Sequence, residues 1–503
     1  MLIVTVIRLM NSLMAPATAL TKASTNSKPR TKTSAKPRRY DYDIIIIGSG
    51  PAGHRAAIQS AKLGKRVAVI EKKTLIGGAS VNTGTIPSKT LREAVLHLSG
   101  FRQRSIYGAS YTVKQHITMN DLLMRADHVI RHEIEVNKVQ LQRNRIELIS
   151  GIATIVDDHT VHLNFLGKKG EDELTTRNIM IAVGTIVAKP DNIPFDGHTI
   201  FTSDGLLRLD HLPKTLTVVG GGVIGCEYAC MFATLGTRVT LVEMQERLLT
   251  FVDHEIVDAL VYHMRQQRVT LRLGESVRSI DHCDTRFGSG VKICLESGKE
   301  IVTEKALYAI GRHGATSKLG LENVGIAPDQ RGRIRVNEHY QTKIPNIYAV
   351  GDVIGFPSLA SASMEQGRMA ASHAFDAEHS SFPQLFPYGI YAIPEISTVG
   401  ANEEELTRAG TPYEVGKAYY KEIARGQILG DTIGMLKLVF HRENHQLLGV
   451  HIIGEGASEL IHIGQTVMAF GGTVDYFINT VFNYPTLAEC YKTAAFDGIN
   501  RIM

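Results

Sequence analysis

The chain has 503 residues, of which 44% are hydrophobic and 21% are charged, and this is the ordinary composition of a folded globular protein. The length predicts about three domains, and the aliphatic content excludes a chain that is mainly disordered. No apolar run approaches the roughly 18 residues that a membrane-spanning helix needs, so an integral membrane protein is excluded.

The net charge of +5 is unevenly distributed along the chain. Residues 1–40 hold eight Lys or Arg and no acidic residue, which leaves about −3 for the remainder. Because the body of the protein is slightly acidic, we expect no nucleic-acid partner. Residues 1–40 have no apolar periodicity and are predicted to be a disordered basic extension. Their composition also suits an organelle transit peptide; we favour a cytoplasmic protein and keep an organelle such as the mitochondrion as the alternative.

The cysteines are few and have no spacing typical of a metal site or a CxxC motif, so we expect neither a metal nor a disulfide framework. A sparse, odd set of this kind fits a reducing compartment. Two of them are four residues apart on a predicted helix and are interpreted as buried thiols. The five are Cys226, Cys230, Cys283, Cys294 and Cys490.

The first predicted element is a buried parallel strand, because the run Asp43–Ile47 is continuously apolar after its first residue. It leads into the loop Gly48–Gly53, which reads GSGPAG. A helix is predicted over His54–Leu63, and a second strand, Arg66–Ile70, ends at Glu71. The order is strand, GxGxxG, helix, strand and acid, which is typical of a dinucleotide-binding unit.

The same order recurs later in the chain. A predicted strand, Leu216–Val219, leads into Gly220–Gly225, and a helix follows as far as Leu235. The next strand, Arg238–Val242, ends at Glu243, so the acid follows the first glycine by 23 residues in both copies. A single GxGxxG motif is weak evidence, but two with the same context predict two dinucleotide-binding units.

Each glycine of the GxGxxG motif has a structural role. The first glycine permits a tight turn, the second lets the backbone approach a pyrophosphate, and the third lets the helix pack on the strand. Free N–H groups at the helix start then face the phosphate charge. Glu71 and Glu243 are predicted to accept hydrogen bonds from ribose hydroxyls. Two different dinucleotides in one chain suggest a flavin and a nicotinamide. A carboxylate repels a 2′-phosphate, so Glu243 favours NAD over NADP unless Arg238 or Arg247 offsets it.

The part of the chain after about Phe386 has no phosphate loop. It combines predicted strands with an alternating pattern at Gly434–Phe440 and Leu447–Ile453, as expected of strands buried on one face, with a predicted helix at Ser458–Phe470. This mixture predicts an α+β domain that packs against the rest or dimerises.

These motifs, with three more downstream, resemble those of the flavoprotein disulfide reductases, the class-I family of dihydrolipoamide dehydrogenase and glutathione reductase. Thr342–Asp352 resembles the second FAD motif, in which the Asp binds the ribityl chain. Ala309–Arg312, which contains Gly311, resembles the segment closing the nicotinamide domain. Ala182–Thr185 resembles the crossover between domains, with Val183 where Thr is usual. The resemblance runs from Tyr40 to Met503.

The resemblance implies an α/β fold of two Rossmann-like, doubly wound domains, for FAD and for NAD(P), with a C-terminal α+β dimerisation domain. The expected FAD-binding domain covers residues 41–190 and 312–385, the NAD(P)-binding domain 191–311, and the interface domain 386–503. It also implies a homodimer in which the C-terminal residues Tyr484 and Glu489 reach the partner's active site.

Three positions in two regions depart from the disulfide reductases. Ser80 and Thr85 stand where the family has its redox-active cysteines, and a hydroxyl forms neither a disulfide nor a thiolate. Tyr484 stands where the family has its catalytic His, although Glu489 is retained. A tyrosine, with a reference pKa of about 10, is a poor proton shuttle at neutral pH. Lys89 matches the family's lysine beside the flavin ring.

One branch, the soluble Si-specific pyridine nucleotide transhydrogenases, is most similar. Ser80 departs from that branch, which usually keeps the first cysteine, and Glu243 departs from members that use both nucleotides. The branch implies reversible hydride transfer between NADPH and NAD⁺ through FAD. The alternatives are an NADH-dependent diaphorase or quinone reductase and a non-catalytic FAD-binding subunit. The matching stretches are Val81–Val95, Gly351–Ala360, Gly389–Ile396, Ile461–Gln465 and Phe482–Thr486.

The site residues that follow from these motifs fall into two groups. The expected catalytic residues are Lys89, Tyr484 and Glu489. Glu227, which follows the second glycine loop, either orients the nicotinamide ring or is a carboxylate favoured by the helix dipole. The expected cofactor-binding residues are Gly48, Gly50, Pro51, Ala52, Gly53, Glu71, Lys72, Lys73, Thr74, Leu75, Ile76, Gly77, Gly78, Ala79, Ser80, Lys89, Thr185, Gly220, Gly222, Ile224, Gly225, Glu227, Glu243, Gly311 and Asp352.

Overall fold

The computed structural model describes residues 40–167, 170–285, 288–378 and 383–502. The predicted basic extension lies outside these residues, apart from Tyr40. Among the described residues, no helix combines the length and the apolar character that crossing a membrane requires.

The elements are numbered in chain order. The first part contains β1 (Tyr42–Ile47), α1 (Pro51–Lys62), β2 (Val67–Glu71), α2 (Gly78–Asn82), α3 (Thr85–Leu98), α4 (Arg104–Tyr107), α5 (Met119–Arg143), β3 (Glu147–Ile155), β4 (Thr160–Phe165), β5 (Glu171–Ile181) and β6 (Thr185–Val187). The second part contains β7 (Ile200–Thr202), β8 (Thr215–Val219), α6 (Val223–Thr234), β9 (Arg238–Glu243), α7 (His254–Gln266), β10 (Thr270–Leu273), β11 (Val277–Thr285), β12 (Gly288–Leu295), β13 (Glu300–Thr303) and β14 (Lys305–Tyr308).

The remaining elements complete the first part and form the C-terminal part. They are β15 (Arg312–Gly314), β16 (Ile347–Ala349), α8 (Ala360–Ala374), β17 (Tyr388–Ile390), β18 (Ile396–Gly400), α9 (Glu403–Ala409), β19 (Tyr413–Tyr419), α10 (Ala424–Leu429), β20 (Met435–His441), β21 (Leu447–Ile453), α11 (Ala457–Ala469), α12 (Asp475–Asn479) and α13 (Glu489–Ile499).

The first large sheet has β1 at its centre. Parallel pairings give the order β3-β2-β1-β5-β16, and β4 pairs antiparallel with β3 and β5. Ile44–Ile47 is buried, as its continuous apolar run predicts for a parallel strand covered on both faces. The loop Gly48–Gly53 leaves the carboxyl end of this central strand, which is where open parallel sheets bind ligands.

The second large sheet repeats this arrangement around β8. Its order is β10-β9-β8-β14-β7, and all of its pairings are parallel. Strand for strand this matches the first sheet, except that the edge strand β7 precedes its central strand in the chain whereas β16 follows its own. A three-stranded antiparallel sheet, β11-β12-β13, accompanies it. The predicted second dinucleotide-binding unit is confirmed.

The C-terminal part forms an antiparallel sheet in the order β17-β18-β21-β20-β19. Helices α11 and α13 pack on it, and their shared core includes Phe440, Ile461 and Tyr491. The α/β class with two doubly wound domains and an α+β domain is therefore confirmed. The proposed boundaries between the domains stay a prediction.

Two local features differ from the sequence-based expectation. Helix α1 begins at Pro51, three residues before the expected His54, because a proline fits the first helical position, where its missing N–H leaves no hydrogen bond unmade. Strand β20 is buried on both faces, and Lys437 within it is fully buried. Its partners lie on other elements: Asp253, Glu255 and Glu403.

Candidate active site

One cavity of about 900 Å³ takes its lining from all three parts of the fold. The loop after β1 contributes Gly48–Ala52, the start of α6 contributes Val223 and Ile224, and the segment around β17 contributes Pro387–Tyr391. A cavity where domains meet, beside two phosphate loops, is the usual place for a bound dinucleotide.

The first phosphate loop depends on the absence of side chains. A Cβ on Gly53 would lie 2.0 Å from the carbonyl oxygen of Gly48, and a Cβ on Gly78 would lie 2.8 Å from the Cα of Gly50. Gly50, which caps α1, offers no side chain to the first-turn N–H groups. Those groups are therefore available to a phosphate, so the loop fits a dinucleotide pyrophosphate.

Glu71, at the end of β2, is held by the loop below it. One carboxylate oxygen accepts hydrogen bonds from the Ser49 N–H (3.0 Å) and the Ser49 hydroxyl (2.6 Å), and the other accepts from the Lys73 N–H (3.0 Å). The Ser49 hydroxyl oxygen in turn accepts from the N–H of Gly77 (3.0 Å). Glu71 is buried, so its carboxylate is fixed beside the expected ribose.

The second unit repeats this geometry with one difference. Glu243 accepts hydrogen bonds from the N–H of Gly221 (2.5 Å) and the N–H of Gln245 (2.8 Å), the positions equivalent to Ser49 and Lys73. A glycine replaces the serine, so the extra hydroxyl contact is missing, and Glu243 is only half-buried. Gly225 repeats the role of Gly53, because its Cβ would lie 1.8 Å from the carbonyl oxygen of Gly220.

The cations expected to offset Glu243 are not directed at it. Arg247 forms an ion pair with Asp258 at 2.7 Å, and Arg238 is exposed at the first position of β9. Neither arginine therefore pairs with the Glu243 carboxylate, so the expected repulsion of a 2′-phosphate is not offset by them.

Asp352 lies in the cavity wall, and its carboxylate oxygens accept long, weak hydrogen bonds. Thr185 and Ser363 each donate a hydrogen bond to it at 3.5 Å, and Arg312 donates to the Thr185 hydroxyl at 2.8 Å. Burial raises the pKa of the Asp352 carboxyl, and the nearby Arg312 guanidinium lowers it again in part. An acceptor with spare capacity at this point fits the hydroxyl-rich ribityl chain of a flavin.

Lys89 and Glu227 form an ion pair in the cavity wall. The Lys89 ammonium donates to the two Glu227 oxygens at 2.8 and 2.7 Å, and Glu227 is only 2% exposed. The N–H of Tyr391 also donates to Glu227, at 2.9 Å. The sequence alone gave no sign of this contact, because the two charges are 138 residues apart. Tyr391 belongs to the stretch Gly389–Ile396, in which the sequence motifs assign no role to an individual residue.

Ser80 and Thr85 line the cavity, and no cysteine does so among the residues that the structure describes. Burial raises the pKa of Cys226, that of Cys230 to about 11, and that of Cys490 to about 12. Buried thiols of this kind are unreactive. The described part of the chain therefore places no redox-active thiol at the cavity.

The other expected site residues divide by their position. Thr74 and Leu75 are exposed, and Ile76 packs in the core of the first sheet. Those that line the cavity are Gly48, Gly50, Pro51, Ala52, Glu71, Lys72, Lys73, Gly78, Ala79, Ser80, Lys89, Thr185, Ile224, Glu227 and Asp352. Those that do not line it are Gly53, Thr74, Leu75, Ile76, Gly77, Gly220, Gly222, Gly225, Glu243, Gly311, Tyr484 and Glu489.

Tyr484 and Glu489 lie away from the cavity of their own chain. Tyr484 is 74% exposed, and one buried oxygen of Glu489 has no hydrogen-bond partner among the described residues. No group of three or more His, Cys, Asp or Glu side chains in the described ranges is arranged to hold a metal ion.

Comparison with known proteins agrees with this site. Residues 42–367 match the family "pyridine nucleotide-disulphide oxidoreductase", and residues 386–495 match its dimerisation domain. The chain therefore belongs to the pyridine nucleotide-disulphide oxidoreductase family. It uses FAD and NAD(P), as its two nucleotide-binding units indicate.

Several individual proteins are similar over almost their whole length. A soluble pyridine nucleotide transhydrogenase of Mycobacterium bovis is 53% identical over 92% of this chain and 98% of its own. One from Hahella chejuensis is 46% identical over 92% and 99%. Among solved structures, LpdA from Mycobacterium tuberculosis matches with a TM-score of 0.82 and 27% identity over 92% and 99%. The HOCl-induced flavoprotein disulfide reductase RclA from Escherichia coli matches with a TM-score of 0.81 and 29% identity over 90% and 99%.

Proposed function

We propose that this protein is an FAD-dependent NAD(P)⁺ transhydrogenase that transfers hydride reversibly between NADPH and NAD⁺. Relatives at 46–53% identity over nearly their whole length carry that name. They do not favour the diaphorase or the non-catalytic subunit. Bound FAD supplies the redox chemistry, taking hydride from one nicotinamide nucleotide and giving it to the other.

The observation that carries this proposal is a cavity served by two phosphate loops but by no described cysteine. A disulfide reductase needs a thiolate beside the flavin, and here Ser80 and Thr85 occupy the wall instead. Exchange of hydride between two nucleotides needs only binding and orientation at such a site, so loss of the thiols is compatible with activity.

The residues of this chain then have the following roles. The loop Gly48–Gly53 binds the FAD pyrophosphate, and Asp352 accepts hydrogen bonds from the ribityl hydroxyls. The loop Gly220–Gly225 binds NADP(H) and NAD(H) in turn. Lys89 places positive charge at the flavin end of the cavity, and Glu227 holds that charge in position.

The protein acts as a homodimer in this proposal. The dimerisation-domain match over residues 386–495 supports self-association. Tyr484 is highly exposed and does not line the cavity of its own chain, as we expect of a residue that completes the partner's site. A protein that is monomeric by light scattering and fully active in the assay would contradict the proposed homodimer.

We also place the protein in the cytoplasm. All five cysteines are free, which suits a reducing compartment. Cell fractionation tests this, and recovery in an organelle with residues 1–40 removed would identify them as a transit peptide instead.

The direct test is transhydrogenation by the purified, FAD-loaded protein. NADPH and thio-NAD⁺ are mixed anaerobically, and formation of the reduced analogue is followed over time. We expect turnover that is lost when FAD is removed and restored when it is added back. In the same preparation, lipoamide and glutathione disulfide should not be reduced. Rapid bleaching of the flavin by NADH with no turnover would contradict the proposal.

A further inference from the structure

Tyr391 connects the three parts of the protein at the cavity. It follows β17 in the C-terminal sheet, whereas Lys89 belongs to α3 of the first part and Glu227 to α6 of the second. The Lys89 ammonium lies 4.9 Å from the centre of the Tyr391 ring. The Tyr391 N–H donates to the same carboxylate that binds Lys89.

The contacts of Lys89 restrict the position of its ammonium group. Two N–H groups point to Glu227, and a longer bond of 3.3 Å reaches the Ser88 hydroxyl. The Tyr391 ring presents its electron-rich face to the remaining side of the cation, which is a favourable cation–π geometry. A second cation, Arg92, lies 5.9 Å from the same ring and donates to the carbonyl of Ala392. The Tyr391 ring therefore lies within 6 Å of two cations, Lys89 and Arg92, that are themselves held by hydrogen bonds.

The hydroxyl group of Tyr391 does not take part in these contacts. Among the described residues it makes no hydrogen bond, although the tyrosine lines the cavity. The aromatic face and the backbone N–H therefore account for its role, and phenylalanine would supply both.

We infer that Tyr391 is a positioning residue that fixes the Lys89–Glu227 ion pair and thereby sets the redox potential of the bound FAD. Positive charge held close to the flavin favours uptake of an electron pair, and a lysine free to swing into the open cavity supplies less of it. This deepens the proposed function, since a transhydrogenase needs a flavin that is reduced and reoxidised by nucleotides of similar potential.

The test is the midpoint potential of the bound FAD, titrated against a reference dye without any nucleotide. In Tyr391→Leu we expect the equilibrium constant for reduction to fall about three- to tenfold, the size of one cation–π contact. Tyr391→Phe should match the parent protein. Where the Leu variant does not retain FAD, Tyr391→Met removes the ring with less loss of volume.

Two further variants separate positioning from general structural loss. In a Lys89→Met background, Tyr391→Leu should cause no additional shift, because its effect passes through Lys89. Tyr388→Leu removes a second aromatic ring from the same wall, one that contacts Phe251 instead of Lys89, and should leave the potential unchanged.

The outcomes are distinct from those of the activity assay. An unchanged potential in Tyr391→Leu, or an equal shift with and without Lys89, overturns the inference. Because the titration contains no nucleotide, a protein that fails to transhydrogenate but shows the expected pattern contradicts the proposed function alone.

Discussion

At the residue scale, we expect the charge on Glu243 to influence the choice between NADP(H) and NAD(H). Its carboxylate accepts hydrogen bonds from two backbone N–H groups, and no cation of the described residues pairs with it. Glu243→Gln removes the repulsion of a 2′-phosphate, so the KM for NADPH should fall about fivefold, as expected for one charge pair a few ångströms apart in water. The KM for NADH should change little or rise.

Steady-state kinetics with each nucleotide check this prediction. Glu246→Gln is the matched control, since it removes the same charge from an exposed neighbouring position. An equal gain in both variants would mean that net charge, and not the position of Glu243, determines the affinity.

The thiols give a second residue-scale prediction. Because burial raises the pKa of Cys226, Cys230 and Cys490, these side chains carry almost no thiolate near neutral pH. Alkylation of the NADH-reduced protein with iodoacetamide should leave transhydrogenation intact. Peptide mass spectrometry should find any label on the half-exposed Cys283. Inactivation that parallels labelling of a buried cysteine would contradict the prediction.

At the scale of elements, the packing of α6 on β8 depends on one glycine. A Cβ on Gly225 would lie 1.8 Å from a backbone oxygen, which cannot move away without breaking the turn. Gly225→Ala should lower the free energy of unfolding by more than about 3 kcal/mol or prevent folding. Gly222→Ala, three residues earlier, has no atom within 4 Å of the added carbon and should unfold at nearly the parent temperature. Thermal unfolding of the two variants tests the difference.

A buried ion cluster joins α7 of the second part to the C-terminal sheet. Lys437 donates to both oxygens of Asp253 at 2.9 and 2.8 Å, and both side chains are almost fully buried. Burial opposes the charge on Lys437, but the Asp253 and Glu403 carboxylates together outweigh it and raise the pKa of the lysine. Lys437→Met should destabilise the protein by about 3–5 kcal/mol, because an unpaired carboxylate remains buried.

The double variant Lys437→Met, Asp253→Asn distinguishes an unpaired charge from a packing defect. Asparagine keeps the cap that Asp253 provides to α7 and removes the charge. We expect it to recover part of the lost stability in urea unfolding. A double variant less stable than Lys437→Met alone would contradict this explanation.

At the scale of the whole molecule, three buried histidines predict acid sensitivity. Burial lowers the pKa of His54, His263 and His451 below the ordinary value of 6.5, which the unfolded chain retains. The Asp431 carboxylate opposes the lowering of the His263 pKa. Asp253 and Glu404 oppose the lowering of the His451 pKa, whereas Lys437 and burial both lower it. The unfolded chain therefore binds more protons as the pH falls, so stability present above about pH 6.5 is lost below it.

The expected loss is about 1 kcal/mol per histidine for each pH unit below that value, until the folded-state pKa is reached. Melting temperatures measured between about pH 7.5 and 5.5 should fall, while His263→Leu should reduce the fall, because neither ring nitrogen of His263 has a hydrogen-bond partner among the described residues. A flat profile in the parent protein would contradict the prediction.

The sequence predicted the two nucleotide-binding units because their signal is local. An apolar run, three glycines and an acid at a fixed distance are all read from a short stretch, as Gly48 and Glu71 illustrate. The Lys89–Glu227–Tyr391 contact could not be predicted in this way, since its members lie on three different parts of the chain. Lys437 is similar, because a lysine within a strand gives no sign of its buried carboxylates. Contacts between domains depend on packing, which periodicity does not encode.

Glu71 and Glu243, the acids that end β2 and β9, differ in their burial and in their hydrogen bonds. Glu71 is buried beneath a serine hydroxyl that also binds Gly77, whereas in the described ranges the Glu243 carboxylate accepts hydrogen bonds from backbone N–H groups alone and is half-exposed. A ligand held at the first acid leaves only when this network opens, so its residence time should be long. A ligand at the second acid meets no such barrier. We therefore expect two sheets of the same design in one chain to bind their ligands differently, the first holding a permanent prosthetic group and the second a nucleotide that exchanges at every turnover.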